Sequence, residues 1–252
     1  MEKRFENKTV VIVGGASGMG LLAARQAAAE GGKIIIADIS QENAEKYAAE
    51  ICASGGTAWG IRCDVRRISD VEQVRDFALE KTGRLDVLIH TAGGASQRMC
   101  NSPGPFVTRP YEVLDWGIDV NLKGPLYFAR AVMGTMIEQK KGVIILLGSI
   151  DGVTGSTMSC DYSTAKAGLI GLTKSLALIG AEHNVRACCV SPGPVLTRPG
   201  MAGMRTPMGR AAEVQEVVNV LLFLASDQAS FITGTNYLVD GGRACGAQEY
   251  VK

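Results

Sequence analysis

The sequence lacks several features that would point to particular classes of protein. It contains only two histidines, His90 and His183, and neither has carboxylate or thiolate neighbours at ligand spacing, which argues against a metal site built from histidine and cysteine. No run of 18 apolar residues could span a membrane, and the first apolar run is too short for a signal peptide and has charges on both sides. We therefore expect a cytoplasmic protein without a bound metal.

The sequence also lacks an excess of charge of one sign and a cysteine framework. Its 26 Lys and Arg residues nearly balance 25 Asp and Glu residues, so neither nucleic acid nor a membrane surface is an expected partner. This balance favours small neutral substrates or cofactors. The seven cysteines are odd in number and form no Cys-x-x-Cys motif, which is typical of reduced thiols. Adjacent Cys188 and Cys189 are expected to point to opposite faces of a strand.

What the sequence does contain is an alternation of short β-branched runs with longer segments rich in Ala, Leu and Glu. No linker or repeat interrupts it, so we expect residues 1–252 to form one domain. Nearly continuous apolar runs are typical of strands covered on both faces. The alternation predicts an α/β fold with a Rossmann-type, doubly wound, parallel seven-stranded sheet and helices on both faces. The expected strands are residues 9–13, 33–38, 57–65, 85–92, 142–149, 185–192 and 235–240.

Some helix boundaries can be predicted as well. The spacing of Ser69 and Glu72 matches a capping box, and Gly83 is suited to end the same helix. A glycine also follows the segment LLAARQAAAE, where it would end the first helix. The last long helix is expected to begin near Ala211.

A glycine-rich turn joins the first predicted strand to the first predicted helix. The segment VGGASGMG places Gly14, Gly18 and Gly20 beside a helix N-terminus, whose free N–H groups and positive dipole end attract anions. The segment is either a tight turn alone or a site for a pyrophosphate. Asp38 ends the second strand, where a carboxylate either caps the next helix or accepts a hydrogen bond from a ribose 2′-hydroxyl. Because Ile39 is not basic and the turn holds no Lys or Arg, NAD is favoured over NADP.

Side chains suited to proton transfer follow the fifth predicted strand. Ser149 ends that strand, and Tyr162 and Lys166 lie four positions apart on one face of a predicted helix. A phenol with a pKa of about 10 is a poor base near neutral pH, and a neighbouring cation favours its ionised form. A Tyr and Lys pair alone is more often a surface contact, but a serine at a strand end and a nucleotide turn in the same chain favour a catalytic role.

In this order the motifs resemble those of the short-chain dehydrogenase/reductase family, in its single-domain type with a Tyr-x-x-x-Lys active site. The resemblance extends from about residue 7 to about residue 242. The chain departs from the family pattern at Val13, where Thr is usual, and at His90-Thr91, where Asn-Asn is usual. The matching residues are Gly14-x-x-x-Gly18-x-Gly20, Asp64-Val65, Ala92-Gly93, Asn121, Ser149, Tyr162 with Lys166, Pro192-Gly193, Thr197 and Asp240-Gly241-Gly242.

The resemblance implies an NAD(H)-dependent alcohol dehydrogenase or ketoreductase that transfers hydride between a secondary alcohol or ketone and the nicotinamide. Tyr162 would be the general acid and base, Lys166 would lower its pKa and bind the nicotinamide ribose, and Ser149 would hold the substrate oxygen. Asn121 would anchor a water that connects Lys166 to solvent. The residues expected to bind NAD are Gly14, Ser17, Gly18, Met19, Gly20, Asp38, Ile39, Asp64 and Val65 (beside the adenine), Thr91, Ala92, Gly93, Tyr162, Lys166, Pro192, Gly193, Val195 and Thr197 (at the carboxamide).

Two connections, residues 94–110 and 198–210, are expected to hold the substrate. Prolines and glycines predict that the second is irregular, and residues 96–107 are expected to form a wall opposite it. Two sets of side chains there allow two interpretations each. Met99, Met201, Met204 and Met208 either form an adaptable apolar wall or fill packing gaps, and Arg98, Arg109, Arg198 and Arg205 either bind a substrate carboxylate or face solvent.

The resemblance further implies a homotetramer, with segments 111–140 and 161–181 at one contact and the last strand with residues 243–252 at another. His90 is expected to be a structural histidine with satisfied hydrogen bonds. One alternative function is an NAD sensor without catalysis. Another is a methyltransferase that uses S-adenosylmethionine, which would have no use for Ser149, Tyr162 and Lys166 together.

Overall fold

The computed structural model describes residues 3–246, which contain a seven-stranded parallel sheet with helices on both faces. The strand order is β3-β2-β1-β4-β5-β6-β7, which confirms the predicted doubly wound Rossmann-type fold. The strands are β1 Thr9–Val13, β2 Lys33–Asp38, β3 Thr57–Arg62, β4 Val87–His90, β5 Gly142–Leu147, β6 Val185–Pro192 and β7 Asn236–Val239. The helices are α1 Gly18–Ala29, α2 Gln41–Ala53, α3 Ile68–Thr82, α4 Ser96–Met99, α5 Tyr111–Ile118, α6 Gly124–Glu138, α7 Asp151–Thr154, α8 Cys160–Gly180 and α9 Val214–Ala225.

The sheet separates two apolar clusters, one on each face. Alternate residues of β1 enter opposite clusters, so that Val10 and Ile12 pack with α1, α2 and α9, while Val11 packs with α3, α6 and α8. Cys188 and Cys189 divide between the clusters in the same way and are fully buried, as expected. Covering on both faces explains why the strands read as continuous apolar runs.

Four strands are shorter than the apolar runs that predicted them, namely β3, β4, β5 and β7. β4 illustrates the reason, because the N–H groups of Thr91 and Ala92 both donate to the carbonyl oxygen of Val13, at 2.8 and 3.0 Å. Because two successive N–H groups share one acceptor, the chain leaves the regular hydrogen-bonding pattern between β4 and β1. The apolar run therefore continues into the turns at the carboxyl edge of the sheet.

Helix ends follow glycine signals more closely than polar ones. Gly83, with φ +74°, ends α3, and Gly31, with φ +91°, follows α1, as predicted. The predicted capping box of Ser69 and Glu72 is wrong, since α3 begins at Ile68 and Ser69 lies inside its first turn.

The start of α9 also differs from the prediction. The helix begins at Val214 rather than near Ala211, because Glu213 and Glu216 form a capping box in which Glu216 accepts a 2.8 Å hydrogen bond from the N–H of Glu213. Arg210 binds the same carboxylate, at 2.6 Å. Within residues 3–246 no helix is both long enough and apolar enough to cross a bilayer.

Candidate active site

The carboxyl ends of the strands surround a cavity of about 740 Å³, where the doubly wound topology predicts a ligand site. Nearly all the predicted site residues line it. The exceptions are Asn121, which is buried behind the cavity wall, Pro192 at the end of β6, and Val195, which belongs to an apolar cluster. The structure therefore brings together the cofactor and catalytic candidates from distant parts of the chain.

The glycine turn after β1 has room for an anion and little room for side chains. Gly14 has φ +74°, and a Cβ atom there would lie 2.6 Å from the backbone nitrogen of Ala92. A Cβ at Gly20 would collide with the carbonyl of Gly14 and lie 2.6 Å from Oγ1 of Thr91. Gly18, by contrast, has φ +49° and faces open space at the N-terminus of α1, and the Ser17 hydroxyl does not cap the helix. These features fit a pyrophosphate held by backbone N–H groups.

Asp38 braces this turn rather than capping α2. One carboxylate oxygen accepts the N–H of Ala16 and the other accepts the N–H of Ser40, both at 3.1 Å. Ser40 is the N-cap of α2. Each carboxylate oxygen keeps a further lone pair for a ribose hydroxyl, so the arrangement fits the expected contact.

The residues that depart from the family pattern have separate structural roles. Thr91 Oγ1 donates to the carbonyl of Val13 at 2.8 Å and lies 3.2 Å from that of Gly14, which ties the glycine turn to β4. His90 is buried against the Phe128 ring, edge to face at 5.4 Å. Burial and, secondarily, the charge of Lys166 lower the pKa of His90 to about 3, so the ring is neutral. The expectation of satisfied hydrogen bonds is wrong, since Nε2 of His90 has no partner among residues 3–246.

Asn121 lies in a π-helical turn, Asp119–Lys123, that separates α5 from α6. Its Nδ2 donates to the carbonyls of Gly94 and Gly117, at 3.0 and 2.9 Å, and its Oδ1 accepts the N–H of Gly94 at 2.9 Å. The amide thus fixes the backbone after β4, and only one lone pair of Oδ1 is left for a water. Gly93 must be glycine here, because its Cβ would lie 2.5 Å from Asn121 Oδ1.

Tyr162 and Lys166, on α8, meet Ser149 at one wall of the cavity. The Lys166 ammonium lies 5.5 Å from the centre of the Tyr162 ring and donates a 2.6 Å hydrogen bond to the carbonyl of Leu147. The Ser149 hydroxyl accepts the N–H of Asp151 at 3.2 Å, which leaves its own proton free to donate. Three groups able to bind and move a proton therefore share one wall.

Burial changes the proton affinities of this group. Desolvation raises the pKa of Tyr162, although Ser149, Arg98 and Arg198 act in the opposite direction. That Lys166 lowers this pKa stays a prediction. Burial also lowers the pKa of Lys166, to about 8.

Several residues in the cavity were not predicted. Arg66 follows β3, and its guanidinium binds both carboxylate oxygens of Asp64, at 2.9 and 2.7 Å, which lowers the pKa of Asp64. Trp116 of α5, Asp151 and Arg243 also line the cavity. Trp116 reaches the cavity through the packing of α5 on α8, whereas Arg66 and Asp151 lie just after β3 and β5, at the carboxyl edge of the sheet.

The structure divides the four arginines that sequence reasoning left open. Arg98, Arg198 and Arg205 are all exposed, but only Arg98 and Arg198 line the cavity. Arg109 is neither solvated nor in the cavity, because it is buried beside Asp161, with 3.5 Å between Nη1 and Oδ1. Residues 198–210 contain only one turn of 3-10 helix, Pro199–Met201, and are otherwise irregular as predicted.

Of the predicted wall, residues 96–107, only Gln97, Arg98 and Met99 line the cavity, together with Met201 and Met204. Met208 does not line this cavity. The methionines that do are therefore placed to contact a ligand.

Comparison with known proteins gives consistent matches over almost the whole chain. A family model described as enoyl-(acyl carrier protein) reductase matches residues 14–244. The 7alpha-hydroxysteroid dehydrogenase of Bacteroides fragilis is 32% identical over 95% of each chain. The 3-oxoacyl-[acyl-carrier-protein] reductase FabG of Thermotoga maritima is 34% identical over 95% of this chain and 98% of its own.

A solved structure gives the same result. A short-chain type dehydrogenase/reductase from Mycobacterium ulcerans superposes with a TM-score of 0.88 at 25% identity, covering 96% of this chain and 91% of that one. The named substrates of the relatives differ from one another, so similarity alone does not identify the substrate of this chain.

Proposed function

Because this chain belongs to the short-chain dehydrogenase/reductase family and is an oxidoreductase, we propose that it transfers hydride between NAD and a secondary alcohol or ketone. One observation carries the proposal: Ser149, Tyr162 and Lys166 line the same cavity as the glycine turn. The alternatives, a sensor or a methyltransferase, give these three groups no shared task.

In the proposed mechanism Tyr162 is the general acid and base. Its raised pKa keeps the phenol protonated near neutral pH, so it is ready to donate a proton to the oxygen of a ketone. Ser149 donates a hydrogen bond to the same oxygen. The buried Lys166 ammonium then returns a proton to Tyr162. Bound NAD supplies the hydride acceptor, or as NADH the hydride donor. In the alcohol direction, the ionised Tyr162 takes the hydroxyl proton.

The cofactor contacts are proposed from the fit of the chain. The turn at Gly14, Gly18 and Gly20 would hold the pyrophosphate, and Asp38 the adenosine ribose. NAD is preferred in this proposal because the Asp38 carboxylate repels a 2′-phosphate. Arg66, a basic residue that lines the cavity, is already paired with Asp64.

The remaining cofactor contacts follow the family resemblance. Asp64 and Val65 would lie beside the adenine, and Lys166 and Thr197 at the nicotinamide half. All of them line the cavity.

We also propose that residues 1–252 form one domain and assemble as a cytoplasmic homotetramer. Support comes from apolar side chains on the expected contact faces, with Leu178 80% and Ile179 53% exposed on α8 and Leu238 43% exposed on β7. Residues 247–252 of the tail expected at the second contact lie outside the described part of the chain.

The experiment that tests the mechanism is Tyr162→Phe, which removes the proton donor and little cofactor surface. We expect turnover of ketones with NADH to fall by about 100- to 10,000-fold, while the Kd for NADH stays within a few-fold. Tyr111→Phe is the matched control, since Tyr111 is 81% exposed and does not line the cavity. An active Tyr162→Phe enzyme would contradict the role. NADH binding by a wild-type chain that turns over no alcohol or ketone would favour the sensor.

A further inference from the structure

Arg98 and Arg198 line the cavity without a partner of their own. Neither guanidinium has a hydrogen bond or a carboxylate within 4.0 Å in the described part of the chain. Arg66 shows the contrast, because it lines the same cavity but is paired with Asp64 through two hydrogen bonds. The donors of Arg98 and Arg198 are therefore free to bind a ligand.

The two arginines and Tyr162 act on one another electrostatically. The positive charge of Arg198 adds to desolvation in lowering the pKa of Arg98. Both arginines also lower the pKa of Tyr162, with which they line the same cavity. Two like charges at one site repel each other, and an anion bound between them removes that cost.

The main chain holds both arginines in place. The Arg98 Nη2 atom lies against Gly94, 3.1 Å from where a Cβ would be, and Asn121 fixes Gly94 through two hydrogen bonds. The carbonyl of Arg198 accepts the N–H of Met201 at 3.0 Å. A β-bridge between Val195 and Ala212 joins the two ends of the connection that contains Arg198. The backbone that carries both arginines is therefore held by hydrogen bonds, and the two exposed side chains line the cavity.

A nearby carboxylate does not cancel this positive charge. Asp151 acts on Tyr162 in the opposite sense to the arginines, but Arg243 acts on Asp151 and also lines the cavity. Burial raises the pKa of Asp151, and Arg243 acts to lower it. The region beside Tyr162 therefore keeps an excess of positive charge.

From this geometry we infer that the substrate carries a carboxylate or phosphate group, which Arg98 and Arg198 bind together while Tyr162 acts on its carbonyl or hydroxyl oxygen. Guanidinium groups bind both anions through paired hydrogen bonds. Met99, Met201 and Met204 would contact the apolar part of the same molecule. The reaction rests on the proposed function, but the anion site does not.

This inference replaces the expectation of a neutral substrate drawn from composition. The net charge of +1 sums the whole chain and does not report a local pair of unpaired arginines. Only the packing of the two connections brings Arg98 and Arg198 to the same cavity.

A binding experiment tests the anion site without requiring turnover. Trp116 lines the cavity, and in a Trp59→Phe background it is the only tryptophan, so its fluorescence reports occupancy. We would titrate 4-oxopentanoate and, separately, inorganic phosphate into this protein and into its Arg98→Gln/Arg198→Gln variant. The Kd for at least one of the two probes should rise at least about 10-fold in the variant.

Two controls isolate the effect. Arg205→Gln removes an exposed charge of the same connection and should leave the Kd unchanged. Any binding of phosphate at the glycine turn should be the same in all variants. The test therefore uses only the difference in Kd between variants. Equal Kd values in the wild type and the double variant for both probes would overturn the inference.

Kinetics with matched ketones then separate the two anions. With NADH, 4-oxopentanoate is compared with its methyl ester, and dihydroxyacetone phosphate with dihydroxyacetone. We expect kcat/KM to favour the charged member of one pair by about 10- to 100-fold, and the double variant to lose that preference. A wild type that reduces neutral and charged ketones equally well contradicts the inference. A wild type that reduces none contradicts the proposed function, and the binding difference still decides the anion site.

Discussion

Removing the charge of Asp161 should destabilise the protein strongly, because Asp161 faces Arg109 out of contact with water. The two side chains are 3% and 1% exposed, and besides Asp161 the Arg109 guanidinium has a 2.9 Å hydrogen bond to the carbonyl of Gly104. Asp161→Asn keeps the shape of the side chain, which packs tightly against Gly117. It removes the negative charge and leaves the Arg109 charge buried without compensation. Breaking a buried pair in this way costs about 3 to 5 kcal/mol.

The size of the effect can be read from unfolding in urea followed by tryptophan fluorescence at fixed protein concentration. Because the pair is 3.5 Å apart and the Asp161 oxygens have no hydrogen-bond partner among residues 3–246, we expect the lower end of the range, about 3 kcal/mol, or about 6 to 12 °C in Tm for a chain of this length. Arg109→Met should cost a similar amount. The double variant, which removes both charges, should cost clearly less than the sum of the two single variants.

Glu50→Gln is the control, because Glu50 pairs with Arg25 at the surface, where both side chains are more than 40% exposed. Its cost should stay below about 1 kcal/mol. If Asp161→Asn behaves like this control, or if the two buried substitutions are additive, the pair does not hold the 94–110 connection to α8 as we infer from its burial.

Three further predictions concern the cofactor, the substrate connection and the assembly. Asp38→Ala with Ile39→Arg should narrow or reverse the preference for NAD in kcat/KM, and a wild type that uses NADP equally well would refute the assigned role of the carboxylate. Deleting residues 100–105 should raise the KM for the best ketone much more than the KM for NADH, because the segment supports α4. Unchanged substrate kinetics would show that the segment is a surface insertion with no role in substrate binding. Light scattering at micromolar concentration should give the mass of four chains, and a monomer mass would rule out the proposed homotetramer.

Much of the fold could be predicted because the signal is repeated in every strand. A continuous apolar run such as residues 9–13 marks a strand covered on both faces, and β1, β2 and β6 have the predicted limits. The ends of the other strands could not be read from hydropathy, since the chain leaves the ladder through hydrogen bonds such as those of Thr91 to β1. Likewise, Ser69 and Glu72 have the spacing of a capping box, but hydrogen bonding selects Arg67 as the N-cap.

The site divides in the same way. The glycine turn, Asp38 and Ser149 lie at or just after strand ends, so a parallel sheet alone predicts that they meet. The substrate side depends on how two connections pack together, and no period in the sequence describes this packing. Arg98 and Arg109 look equivalent in the sequence, yet one lines the cavity and the other is buried against Asp161.

The strand order also has a consequence for synthesis on the ribosome. β1 lies between β2 and β4, and the N–H of Thr9 donates to the carboxylate of Asp86, 77 residues later. At about 5 to 20 residues per second, translation takes about 4 to 15 s to cover that interval. During this time β1, β2 and β3 can pair, but the inner edge of β1 has no neighbour and presents free backbone groups to other nascent chains. The half-made sheet is therefore the stage at which an unpaired edge of this chain is exposed to other strands.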